Sequence, residues 1–191
     1  MKKYELTEET VTVYGKTLYR IRAVRDFGSV KTGEFGGYIE KEENLSHFDN
    51  AWVYGNAKVY GNAKVYGDAR VSENAKVSGD ARVSGDARVF GNAWVSGDAR
   101  VSGNAWVYGN AEVFNTRHFF VQGPIGSRDG YVTFYRTKDD TVEVRCGCFS
   151  GSLQEFVNQV EETHGGSRYE KEYKLAAELA KVCIRLEGES R

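Results

Sequence analysis

The chain has 191 residues, and its 26 basic and 27 acidic side chains give a formal net charge of −1. This length fits one or two domains, and the balanced charge gives no reason to expect a nucleic acid or a membrane as partner. The lysines near the start precede no apolar run, no stretch approaches the roughly 18 apolar residues of a membrane span, and three cysteines make no disulfide framework. We therefore expect no signal peptide and a cytoplasmic location.

The first 36 residues predict a β-hairpin, with strands near Thr10 to Tyr14 and Thr17 to Val24 and a turn at Gly15-Lys16. The regular repeat that follows these residues would leave an unpaired strand edge at its start, which must be covered if it is not to pair with other chains. We expect residues 1–36 to be an N-terminal β cap.

A six-residue repeat fills the middle of the chain, and we assign residues 37–116 to it. A valine recurs at every sixth position from Val53 to Val113, an alanine takes the fifth slot of each hexad, and Asn or Asp takes the fourth. Alternate strand residues share a face, so Val and Ala should point inward, while Gly followed by Asn or Asp should form the corner. Three hexads then close a turn, so valines 18 residues apart, such as Val53 and Val71, should stack in one column.

After Asn115 the period stops, and residues 117–191 predict a small α+β domain of βββαα order. Strands are indicated at 118–122, 131–136 and 142–146. Ser152 and Glu155 form the pattern of a capping box, which predicts a helix start. A second helix is expected from about Arg168 to Leu186, and its predicted apolar stripe is Leu175, Leu179, Val182 and Leu186.

The hexads resemble the left-handed β-helix of hexapeptide-repeat acyltransferases. The lead-in residues 20–28, Gly36-Gly37-Tyr38-Ile39 and Asn44-Leu45-Ser46 are similar to those of YdcK-type transferases, over roughly the first 115 residues. The sequence segments at 123–128 and 145–149 resemble a module of small bacterial and bacteriophage proteins. The expected fold is thus mainly β, a left-handed parallel β-helix with an N-terminal hairpin cap and a small C-terminal α+β domain.

The resemblance implies acyl transfer from acetyl-CoA by a histidine base, but the hexads contain no histidine. His118, at the last coil, is the one weak catalytic candidate, and otherwise we expect no catalytic residue and no cofactor. Cys146 and Cys148 are a weak candidate metal pair, because structural zinc sites usually space their cysteines more widely. Two thiols buried in a core are the simpler interpretation.

Two sets of outward side chains are candidate binding surfaces. Lys64, Arg82 and Arg100 recur every 18 residues and form a basic ladder that could bind an anion or a nucleotide, unless the corner aspartates pair with it. A second face gathers aromatic and arginine side chains, the types that dominate interface energetics. Its members are Trp52, Tyr54, Arg70, Arg88, Phe90, Trp106 and Tyr108.

We expect this aromatic face to be buried between the subunits of a homotrimer or homodimer, or against a partner or a terminal domain. The favoured function is a non-catalytic oligomeric scaffold or binding protein with a protein partner. The bacteriophage resemblance suggests a partner inside a bacterial host, such as a defence component. Hexapeptide-repeat acyl transfer and anion binding on the basic ladder are the alternatives.

Overall fold

The structure, a computed structural model, describes residues 2–187. Met1 and residues 188–191, at the ends of the expected first and third domains, lie outside the described residues. The N-terminal strands are β1 (Tyr4–Val13), β2 (Lys16–Ala23) and β3 (Phe35–Ile39), followed by a 3₁₀ turn at Glu42–Asn44. The expected hairpin is present, but it turns at Tyr14-Gly15, both with positive φ, one residue earlier than predicted. Two such residues in succession suit the twist of a tight hairpin.

Each hexad contributes one two-residue strand that ends on its valine. These strands are β4 (Trp52–Val53), β5 (Lys58–Val59), β6 (Lys64–Val65), β7 (Arg70–Val71), β8 (Lys76–Val77), β9 (Arg82–Val83), β10 (Arg88–Val89), β11 (Trp94–Val95), β12 (Arg100–Val101), β13 (Trp106–Val107) and β14 (Glu112–Val113). They stack in parallel on three faces, in the orders β4-β7-β10-β13, β6-β9-β12 and β5-β8-β11-β14. The rod is therefore a three-sided parallel β-helix.

The valine columns expected from the spacing of 18 are confirmed. Val53 pairs with Val71 and Val65 with Val83, and every valine and alanine of the repeat core is fully buried. Glycines with positive φ form most corners, but Glu73 occupies the glycine slot of its hexad with a φ of 59°. Side chains other than glycine pay a steric cost in that conformation.

The lead-in segment completes a first, irregular coil. Strand β3 pairs in parallel with β5, and Leu45 bridges to Val65. Asn44 makes the corner between them, because its buried amide donates to the carbonyls of Gly61 and Ala63 at 3.1 and 2.8 Å. The first coil edge is thus covered by the chain's own N-terminal strands, and the β1–β2 hairpin also packs along the rod through Leu18 and Tyr60.

The C-terminal domain covers the last coil. Its antiparallel sheet runs β15 (Phe119–Ile125), β16 (Gly130–Arg136), β17 (Val142–Cys146) and β18 (Phe149–Ser152), followed by α1 (Leu153–His164) and α2 (Arg168–Cys183). Tyr135 of β16 is fully buried in the rod's core cluster, and Ala111 bridges to Thr137. The domain boundaries drawn after residues 36 and 116 stay predictions.

The sequence prediction for this domain was right in outline and wrong in two details. The capping box is confirmed, because Ser152 Oγ accepts from Glu155 N at 3.2 Å while Glu155 Oε2 accepts from Ser152 N at 2.8 Å. The fourth strand, β18, was missed. The predicted stripe of α2 was also wrong for three of its four residues, because Leu175 and Val182 are 71% and 81% exposed and Leu179 is exposed as well. Leu186 does pack against the domain core, but it lies beyond the helix, which ends at Cys183.

Alanines form the buried side of α2 instead. Ala176, Ala177 and Ala180, with Ile184 beyond the helix end, pack against the sheet and against α1. Small side chains allow the helix backbone to approach the sheet closely, which leaves the leucines on the outer side. Among residues 2–187, no helix is both long and apolar enough to span a membrane.

A cationic cleft as the candidate functional site

A cleft of about 840 Å³ lies between one face of the rod and the C-terminal domain. Strands β10 and β13 supply Arg88 and Trp106 to the rod side of the cleft. The opposite side comes from strands β16 and β17, from the turns before and after them, and from both helices. It includes Arg128, Tyr131 and Arg145. This volume lies within the usual range for ligand sites, and clefts between two structural units are common places for them.

Trp106 lies between two arginines. The Cζ of Arg88 is 4.8 Å from the centroid of the indole ring, and the Cζ of Arg145 is 5.7 Å from it. Arg145 also lies 5.5 Å from the ring of Tyr108. The backbone N–H of Trp106 donates to Thr133 Oγ1 of β16 at 3.0 Å, which fixes the domain against this coil. Cation–π contacts hold both guanidinium groups at the aromatic side chain.

The charge of the cleft is unbalanced. Its lining contains three arginines, Arg88, Arg128 and Arg145, and one acidic side chain, Asp86. Within residues 2–187, no ion pair involves any of these three arginines. The Nε of Arg145 is buried and has no hydrogen-bond partner there. Three arginines against one acidic side chain make the cleft suited to an anionic ligand.

The two candidate metal ligands lie at the rim of this cleft, in the tight turn between β17 and β18. The expectation of two thiols buried in a core was wrong for Cys148, which is exposed, whereas Cys146 is half-buried and packs against the core of the C-terminal domain. The reason is that Gly147 turns the chain with a φ of 56°, which places the cysteines at a hairpin end. Burial raises the pKa of the Cys146 thiol. In the described part of the chain, no three potential metal ligands come together.

His118 lies away from the cleft, at the junction between the last coil and the C-terminal domain. Its Nδ1 accepts from the backbone N–H of Phe114 at 3.2 Å, and its Nε2 is 2.8 Å from the amide nitrogen of Asn115. Burial and the neighbouring Arg136 lower the pKa of His118. Both ring nitrogens are therefore engaged in local contacts, an arrangement that holds the turn after β14 in place.

The basic ladder is present in register but is not part of a cleft. Lys64 pairs with Arg82 and Arg82 with Arg100 in successive coils, and all three side chains are exposed. Within residues 2–187 no corner aspartate forms an ion pair with the ladder, and Asp68 and Asp80 accept from Asn50 and Asn62 instead. In stacked coils, each corner side chain lies next to the corner side chain one turn away. That neighbour is closer than the basic side chains on the flat face.

The predicted aromatic face is not one continuous exposed surface, because other parts of the same chain cover both of its ends. Trp52 is fully buried, with Phe27 and Tyr4 against its ring at 5.2 and 6.0 Å, so none of its surface remains for a second subunit. At the other end, Trp106 is half-covered by the C-terminal domain. Tyr54, Phe90 and Tyr108 are half-buried, while Arg70 and Arg88 are exposed. The terminal domains therefore cover the two tryptophans of this face.

Comparison with known families bears on the rod alone. A family model described as YdcK Beta solenoid repeat matches residues 81–97 and 93–109. The rod is similar to the YdcK solenoid. Both matches lie within the hexads of the rod, and neither includes the N-terminal hairpin or the C-terminal domain. No curated protein matches the chain.

Sequence reasoning identified Arg88 and Trp106 as surface residues but missed the cleft that they line. Arg128 and Arg145 gave no signal, because Arg128 lies in a turn and Arg145 in strand β17 of a different domain, and their distance from the rod depends on how that domain docks. The segments around them, 123–128 and 145–149, entered the sequence prediction only through their resemblance to a module of small bacterial and bacteriophage proteins.

Proposed function

We propose that the protein is a non-catalytic binding protein, and that its cationic cleft takes an acidic segment of a protein partner. A single observation carries the proposal. Arg88 and Arg145 flank Trp106 in a cleft where neither guanidinium has a carboxylate partner among residues 2–187. Arginine and tryptophan are the side chains on which interface energies most often depend.

A carboxylate-bearing segment fits the chemistry of the lining. The planar guanidinium group presents paired N–H donors, which match the two oxygens of a carboxylate. The ring of Trp106 and the exposed ring of Tyr131 offer apolar surface between the charges. A glutamate-rich or aspartate-rich stretch of a partner would supply carboxylates to the three arginines of the cleft.

The identity of the partner is a further part of the proposal. The bacteriophage resemblance of the C-terminal segment favours a host factor, such as a defence component, in the cytoplasm of a bacterial cell. We also propose self-association into a homodimer or homotrimer through exposed Arg70 and half-buried Phe90 and Tyr108, the part of the aromatic face that lies between the two tryptophans. Acyl transfer is the weaker alternative, because the ring nitrogens of His118 are already engaged.

The test uses a fluorescein-labelled hexaglutamate peptide and measures its fluorescence anisotropy on titration with the protein. The double variant Arg88→Ala/Arg145→Ala should bind roughly tenfold more weakly than the wild type. The matched control is Arg82→Ala/Arg100→Ala, which removes two exposed arginines from a different face and should leave the affinity within about twofold. Added salt should weaken wild-type binding.

Two outcomes would contradict the proposal. Equal loss of affinity in both double variants would mean that the peptide responds to overall charge rather than to the cleft. Failure of the peptide to bind, together with a rise in melting temperature on adding acetyl-CoA, would favour the acyltransferase alternative, since a ligand stabilises the state that binds it.

A further inference from the structure

A second groove lies on a different face of the rod, where the tip of the β1–β2 hairpin lies beside the hexads. The groove has a volume of about 450 Å³. Tyr14 at the hairpin tip forms one wall and Trp94 of β11 forms another, and their rings are inclined by only 16° with centroids 6.5 Å apart. Tyr60 lies between the hairpin and the rod, with its ring centroid 6.5 Å from that of Tyr14. Three aromatic rings therefore surround one small space.

A buried hydroxyl without a partner lies at this groove. Tyr60 is only 5% exposed, and its Oη is buried with no hydrogen-bond partner in the described part of the chain. The neighbouring Ser78 Oγ accepts a hydrogen bond from Trp94 Nε1 at 3.0 Å, and its proximity to the Tyr60 hydroxyl partly offsets the rise in the pKa of Tyr60 that burial causes. Because buried polar groups are almost always satisfied in folded proteins, the Tyr60 hydroxyl is a position where a ligand oxygen would be stabilised.

The rim of the groove is polar but does not favour an anion. Asn62 donates from Nδ2 to Asp80 Oδ1 at 3.1 Å, so an amide and a carboxylate stand together at the edge. The one cation in the lining, Lys16, is held at 2.9 Å by Glu40. The groove thus differs in chemistry from the arginine-lined cleft, and its side chains suit a neutral ligand that carries hydroxyl groups.

We propose that this groove binds a ring of a neutral saccharide. The apolar C–H face of a sugar ring would lie against the exposed ring of Tyr14 and beside that of Trp94, because centroids 6.5 Å apart leave no room for a sugar ring between them. Its hydroxyl groups would bond to the hydroxyl of Tyr60 and to the oxygens of Asp80 and Asn62. A few convergent polar groups on an aromatic wall are the usual composition of a small-molecule site.

The test measures the tryptophan fluorescence of the full chain while glucose, N-acetylglucosamine or maltotriose is added, with adenosine as a planar neutral comparison. Tyr60→Phe removes only the hydroxyl and should weaken saccharide binding roughly three- to tenfold. Tyr14→Asn removes one wall and should weaken it about tenfold. Asparagine tolerates the positive φ of 49° at position 14, so the hairpin turn is kept.

Tyr66→Ala is the matched control, because Tyr66 is an exposed tyrosine of the rod that does not line the groove. It should leave saccharide binding unchanged. The proposal is supported if at least one saccharide binds and only the two groove variants weaken it. It is overturned if no saccharide changes the fluorescence, if adenosine alone binds, or if Tyr14→Asn and Tyr60→Phe bind as the wild type does.

Discussion

The ammonium group of Lys3 donates a 2.7 Å hydrogen bond to the carbonyl of Ala51, the residue that opens the regular repeat. It also donates to the carbonyls of Phe48 and Asp49, at 3.3 and 3.4 Å, and lies 4.9 Å from the ring centroid of Phe27. The side chain is fully buried. One lysine therefore fastens the irregular lead-in coil to the first hexad, and burial lowers its pKa to about 8.

This burial predicts a pH dependence of stability. An unfolded lysine has a pKa of 10.5, so above pH 8 the unfolded chain binds more protons than the folded chain, and a rise in pH favours folding. The free energy of unfolding of the wild type, relative to Lys3→Met, should increase by roughly 2 kcal/mol between pH 8 and pH 10. Urea unfolding of both proteins at several pH values measures it. A difference that does not change with pH would contradict the shifted pKa.

The valine columns predict which substitutions the rod tolerates. Val83 lies between Val65 and Val101 in its column and is fully buried, so Val83→Asp would place an unpaired charge among apolar side chains. We expect a loss of more than about 3 kcal/mol, enough to unfold the rod. The adjacent and exposed Arg82→Asp is the control and should change stability by less than about 1 kcal/mol. Thermal unfolding followed by circular dichroism distinguishes them, and similar losses in both would refute the inward register.

The corner at Glu73 predicts a stabilising substitution. Glu73 has a φ of 59° in a slot that most other hexads fill with glycine. Glu73→Gly should raise the free energy of unfolding by about 0.5 to 1 kcal/mol, because relief of the left-handed strain exceeds the entropy cost of glycine.

The opposite change at another corner is the matched comparison. Gly79→Ala should destabilise the rod, since a Cβ there would lie 2.9 Å from the backbone nitrogen of Gly97 and Gly79 has a φ of 64°. Urea midpoints of the two single variants should therefore move in opposite directions. A shift of both in the same direction would contradict the steric account of the corner.

The repeat was predictable because each position in it has one physical role. An inward valine column requires only that spacing and strand alternation agree, and Val53 to Val113 satisfy both. The face of α2 was not predictable in the same way. Leu175, Leu179 and Val182 have helical spacing, but so do Ala176, Ala177 and Ala180. Periodicity alone favours the larger side chains, whereas the close approach of helix and sheet selects the small ones.

The two candidate sites could not be predicted from the sequence, for a different reason. Trp106 and Arg145 belong to separate units, as do Tyr14 and Trp94, and each pair meets only because a terminal segment docks on a particular face of the rod. No local pattern encodes which face that is. The groove depends on the direction in which the β1–β2 hairpin bends. The cleft depends on the contact of β16 with the last coils.

Because paired valines are 18 residues apart, the repeat sets the angle between the two ends of the molecule in fixed steps. Duplication of one full coil between Tyr60 and Trp94 would lengthen the rod by about 4.8 Å and keep every face aligned. Duplication of a single hexad would instead rotate everything downstream by one third of a turn and carry Trp94 away from Tyr14. Only whole-coil changes in length therefore keep the faces of the rod in register, and even these preserve the groove only when they fall outside the stretch from Tyr60 to Trp94.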